Sequence, residues 1–129
     1  SVYDDIASFT DNSKKLCLFH PVYNVFGQKT TREDGLNTLK LNQGKYLLFF
    51  GLIRKYKGLD ILLKAVNQHF KTNPNSKLII AGEAYEDKTK YLKIIEELNI
   101  QNKVVWVDRF ISNTKIEKLM ILSDLLVLP

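Results

Sequence analysis

The sequence predicts an α/β protein with a doubly wound parallel sheet of four core strands and crossover helices. Two observations predict it. Four short apolar runs, Tyr46–Phe50 (YLLFF), Lys77–Ala81 (KLIIA), Lys103–Val107 (KVVWV) and Leu125–Leu128 (LLVL), are nearly free of polar residues. That is how a strand buried on both faces reads. Stretches with helical period separate the runs, so the order is β-α-β-α-β-α-β, the pattern of a parallel sheet with right-handed crossovers.

Before the first run, residues 1–45 read as an entry segment. HPVYNVFG is rich in turn residues, with Pro21 and Gly27. A short helix follows in TTREDGLNTLKL, opened by Thr30 with Glu33 three residues on and carrying Leu36 and Leu39. Residues 46–129 form the core. After the first strand, GLDILLKAVNQHF sets Leu59, Leu62, Leu63, Val66 and Phe70 on one helix face, and Pro74 closes the stretch. DKTKYLKIIEELNI places Tyr91, Ile94, Ile95 and Leu98 together, with Asp87 as expected N-cap. SNTKIEKLMILSD places Ile116, Leu119, Met120 and Ser123 together, with Thr114 and Glu117 spaced as a capping box.

The chain of 129 residues suits one domain, and its 45% hydrophobic content supplies an ordinary core. Lys and Arg number 19 against 14 Asp and Glu, a formal charge of +5. That excess suits an anionic small molecule, a nucleic acid or a membrane surface. The cations are scattered, however, and only Arg54–Lys57 is a dense cluster, which argues against nucleic acid. The single cysteine, Cys17, fits a reducing compartment. The opening residues carry acids and no apolar core, so no signal peptide is expected. The chain stops inside the apolar run DLLVLP.

In open α/β sheets, ligands bind beyond the carboxyl ends of the strands. The first such segment, GLIRKYKG, runs from Gly51 to Gly58 into a helix N-terminus and carries Arg54, Lys55 and Lys57. Free backbone N–H groups and partial positive charge at a helix start suit phosphate, and added cations strengthen anion binding. A solvated basic loop is the competing reading. The segment matches neither GxGxxG nor GxxxxGK[ST], so dinucleotide and Walker-type binding are unsupported. After the second strand, Gly82 permits close backbone approach and Glu83 adds an acid. After the third, Asp108, Arg109 and Phe110 offer backbone groups to a base edge; Asp108 and Arg109 equally suit pairing with each other, and Phe110 suits a core. His20, His69 and Cys17 lack partners at ligand or catalytic spacing, and no GxSxG elbow is present, so no metal or cofactor is expected.

The strings HPVY (20–23), FFGLIRKYKGLDILLKA (49–65), AGE (81–83), DRFI (108–111) and SDLLVLP (123–129) occur in an order and spacing that resembles the carboxy-terminal, donor-binding half of family 4 glycosyltransferases, enzymes of GT-B architecture. The resemblance implies a Rossmann-like nucleotide-sugar-binding domain of a retaining transferase. It implies that Arg54 and Lys57 bind the donor diphosphate, although many members carry the arginine directly after the glycine. It further implies that Phe110 and Ile111 hold the nucleobase, with Gly51, Gly82 and Glu83 around the crevice. The family's paired glutamates (E-x7-E) and its Gly-rich loop would lie beyond Pro129, and its acceptor domain is missing. The expectation is therefore a truncated, inactive donor-binding piece. By analogy, the full-length enzyme would be cytoplasmic, with possible contact at an inner membrane face, and would serve capsule, lipopolysaccharide or glycolipid assembly. Competing readings are a flavodoxin-like nucleotide- or phosphate-binding signalling module, disfavoured because FFGLIR has no acid, and another metabolic enzyme of the same architecture.

Overall fold

A computed structural model describes residues 30–107 and 111–129. The elements run α1 (Arg32–Leu39), β1 (Lys45–Phe50), α2 (Leu59–Thr72), β2 (Ser76–Ala81), α3 (Thr89–Glu97), β3 (Val104–Val107), α4 (Asn113–Leu122) and β4 (Leu125–Leu126). The strands form one parallel sheet in the order β3-β2-β1-β4. The α/β doubly wound expectation thus holds.

Side-chain alternation along each strand feeds two cores. On one face Phe49, Leu78 and Ile80 meet Leu59, Leu63, Val66 and Phe70 of α2 and Tyr91 and Ile95 of α3. On the other, Tyr46, Leu48, Ile79 and Ala81 meet Leu36 of α1 and Leu119 and Leu122 of α4. Helices α1 and α4 pack very closely: a Cβ built on Gly35 would lie 2.9 Å from the Lys118 carbonyl oxygen.

The helix ends depart from expectation. Thr31, one residue later than Thr30, caps α1; its Oγ1 accepts from Asp34 N at 3.1 Å while its own N–H donates to Asp34 Oδ2 at 3.0 Å. The box therefore closes on Asp34, and Glu33 is left outside it. Asp87 serves α3 by accepting from Thr89 N at 2.9 Å, though the residue at the cap position is Lys88. Thr114 and Glu117 form no capping box, because α4 starts at Asn113 and Thr114 is already inside it; Ser112 holds the cap position and its carbonyl accepts the first helical bonds. Leu122, and not Ser123, completes the buried face of α4. Ser123 ends the helix, its hydroxyl donating to Leu119 O at 2.6 Å.

The outer strands are less buried than their apolar runs imply. β3 is half-buried throughout, and Leu125 and Leu126 are 56% and 43% exposed. Both strands lie at sheet edges, where one flank has no strand among the described residues. β4 is nonetheless firmly seated. Asp124 N donates to Tyr46 O and Val127 N to Leu48 O, each at 2.8 Å. Asp124 Oδ2 accepts from Tyr46 N at 2.8 Å and from Arg32 Nη2 at 3.2 Å, and Lys45 Nζ lies 3.4 Å from Oδ1. Arg32 also donates to the carbonyls of Leu122 and Gly44. One carboxylate thereby ties α1, β1 and β4 together.

Candidate functional site

From β1 the chain winds outward through β2 to β3, then returns so that β4 joins β1 on the opposite side. The carboxyl ends of the strands near this reversal are where such sheets hold ligands. A cavity of about 260 Å³ opens there, lined by Phe50, Gly51, Leu52, Gly82, Glu83, Ile111 and Ile116.

Two glycines shape its floor. Gly51 and Gly82 follow β1 and β2 directly, with φ of 125° and 151°. A Cβ at Gly82 would stand 1.9 Å from the Gly51 carbonyl oxygen, so only glycine permits this approach. Beyond the glycines the strands re-engage: Ile53 bridges Ala84, with Ile53 N donating to Glu83 O at 3.0 Å and Tyr85 N to Ile53 O at 3.3 Å. Buried Ile53 pins the first loop from below.

After Ile53, Arg54 is extended and Lys55–Lys57 make a single 3-10 turn. Gly58 then enters α2 in the left-handed region at φ 64°, with no side-chain cap. The first amides of α2 are therefore not taken by a capping side chain. A Cβ at Gly58 would sit 3.3 Å from Cβ and Cγ of Pro129, which sets the far end of β4 beside this helix start.

The expected site residues fall into three groups. Gly51, Gly82, Glu83 and Ile111 come together in the cavity. Arg54 lies in a second concavity of about 300 Å³ with Tyr85 and Glu86, its guanidinium carbon 5.3 Å from the centre of the Tyr85 ring. Lys57 lines neither; its ammonium rests 5.4 Å from the centre of the Tyr56 ring. Phe110, Asp108 and Arg109 lie outside the described residues, as do Cys17 and His20. His69 is half-buried and structural, with Nε2 3.2 Å from the hydroxyl of buried Ser76.

Glu86 is committed elsewhere. Lys90 Nζ donates to its Oε2 at 2.9 Å and the Tyr91 hydroxyl to its Oε1 at 2.6 Å. Those bonds, with Lys55 nearby, hold the carboxyl below its usual range. Among the described residues no cluster of His, Cys, Asp and Glu could hold a metal ion. No described helix is long and apolar enough to cross a membrane.

Sequence reasoning missed Leu52, Ile116 and Tyr85. Leu52 occupies the place directly after the glycine and is 43% exposed. An apolar residue exposed in a basic loop was the available signal. Ile116 reads as core from its period, yet it also lines the cavity. Tyr85, 60% exposed between acids, offered only its aromatic character.

Residues 32–129 match the family model described as glycosyl transferases group 1. The chain belongs to this family. It is 28% identical over 113 residues to spore coat protein SA of Bacillus subtilis (strain 168), covering 84% of the chain and 30% of that protein. Among solved structures it resembles the C-terminal domain of a group 1 family glycosyl transferase, LpcC, from Francisella tularensis. That match has a TM-score of 0.65 and 19% identity, over 79% of this chain and 54% of that one. It also resembles WaaG, a glycosyltransferase involved in lipopolysaccharide biosynthesis, with a TM-score of 0.62 and 22% identity, over 76% and 26% of the two chains. The group 1 domain described here thus spans about a third of the curated relative, and its fold is the Rossmann-like one of GT-B carboxy-terminal domains.

Proposed function

We propose that this chain is the donor-binding part of a retaining, family 4 glycosyltransferase, in which residues 1–129 belong to one domain. The observation that carries the reading is the cavity at the carboxyl ends of β1 and β2, floored by the Gly51–Gly82 contact and flanked in sequence by Arg54 and Lys57. Its mostly apolar lining suits a nucleobase or ribose face, with Glu83 as a polar group. The basic turn and the uncapped start of α2 suit a diphosphate. A nucleotide diphosphate sugar has both parts joined.

In the reaction, the bond between the anomeric carbon and the diphosphate oxygen breaks, and negative charge grows on the leaving diphosphate. Arg54 and Lys57 act by opposing that charge, an effect strongest where water is excluded. The acceptor site and the sugar-contacting acids belong to parts of a longer enzyme, so this chain alone binds donor without transferring sugar. The likeness to WaaG, a glycosyltransferase involved in lipopolysaccharide biosynthesis, supports saccharide assembly as the setting. A cytoplasmic location, with the longer enzyme peripheral at an inner membrane face, fits the +5 charge.

Calorimetric titration with UDP, GDP and ADP tests the reading. One of the three is expected to bind, and an Arg54→Ala/Lys57→Ala double variant to bind it at least about tenfold more weakly, since each charge-assisted contact contributes about 1.5–3 kcal/mol. Equal binding by both proteins overturns the diphosphate assignment.

A further inference from the structure

The geometry assigns Tyr85 a role no motif marks: we infer that it is a positioning residue that holds the Arg54 guanidinium for a diphosphate. The inference rests on the donor-binding reading and extends it to the β2–α3 loop. Three observations carry it. The Tyr85 ring packs against the guanidinium with 5.3 Å between ring centre and Cζ. Stacking on an aromatic face restrains the cation while leaving its in-plane N–H donors free for an oxyanion. The two residues are also set by backbone pairing, because the Ile53–Ala84 bridge fixes the residues immediately before each. Finally, the acid in the same concavity is occupied: Glu86 is held by Lys90 and the Tyr91 hydroxyl, and Arg54 has no carboxylate partner among the described residues. The loop therefore presents an oriented cation that no carboxylate among the described residues pairs with.

The test is a double-mutant cycle on the chain, with inorganic pyrophosphate as the probe and binding read by calorimetry. Tyr85→Ala is expected to weaken binding about two- to fivefold, the size of an exposed cation–π contact. Tyr85→Phe keeps the ring and is expected to stay within about twofold of the parent. In an Arg54→Ala background, Tyr85→Ala is expected to add nothing, an outcome that a general loosening of the loop would not produce. Thermal unfolding of each variant separates binding loss from unfolding. If Arg54→Ala weakens binding while Tyr85→Ala does not, or the two losses simply add, the positioning role is overturned and the donor reading stands. If neither Arg54→Ala nor Lys57→Ala changes pyrophosphate binding, both are overturned.

Discussion

Gly82 and Gly51 show how one missing Cβ shapes a cavity. The two backbones meet because Gly82 has no side chain, and the contact lies at the floor of the cavity. The two positions differ in one respect. A Cβ at Gly51 meets nothing within 4 Å, so substitution there costs only the strain of its positive φ, about 1–3 kcal/mol. At Gly82 the same strain adds to a backbone collision. Gly82→Ala is therefore expected to lower stability by a further ~1–3 kcal/mol beyond Gly51→Ala, read from urea midpoints. Equal midpoints for the two variants would contradict the close approach. Gly82 was legible as a close-approach glycine after a strand. What it approaches was not, because that depends on the neighbouring strand's register.

At the scale of elements, α2 was the most legible, since five apolar residues at helical spacing are all buried. Helix starts were less so. Thr30 and Thr31 are adjacent and both could cap; α1 uses Thr31 because Asp34, at N3, can reach back to its amide. Thr31→Ala is expected to cost about 1 kcal/mol and Thr30→Ala less than about 0.5 kcal/mol, measured by chemical denaturation. The reverse order would put the helix start one residue earlier. At α4 the spacing of Thr114 and Glu117 misled because it describes a local pattern, whereas packing of Leu119 and Leu122 against β1 and β2 decides where the helix lies. β4 read as buried because its composition resembles that of β1, and composition does not say which strand is at an edge. Tyr85 and Leu52 escaped notice for a related reason: their places beside Arg54 and the cavity come from which loops the sheet order brings side by side.

Across the molecule, the sheet is held at its two ends by different chemistry. Glycines and the basic loop occupy the carboxyl ends, and the Asp124 network occupies the opposite end. Burial disfavours the charged form of Asp124, yet the Tyr46 amide, Arg32 and Lys45 outweigh it and hold the carboxyl below its ordinary value. Asp34, Glu86 and Asp87 are lowered as well, chiefly by side-chain hydrogen bonds from Thr31, Lys90 and Thr89 respectively. A lowered folded-state pKa gives stability that is present above the unfolded value and lost as pH falls through the folded one. Stability is therefore expected to be level near neutrality and to decline below about pH 5. Asp124→Asn should reduce stability at pH 7 by about 1 kcal/mol, given partial solvent screening, and flatten part of the acid decline. Identical acid declines in the two proteins would show that Asp124 gains nothing from its partners.

We propose that the cavity beyond β1 and β2 receives a nucleoside diphosphate. Amide NMR during titration with the tightest-binding of UDP, GDP and ADP tests it most directly. Saturable shifts are expected to be confined to Gly51–Gly58, Gly82–Tyr85 and Ile111–Ile116, with the Asp124 end of the sheet unmoved. Shifts centred elsewhere, or none at millimolar nucleotide, would contradict it.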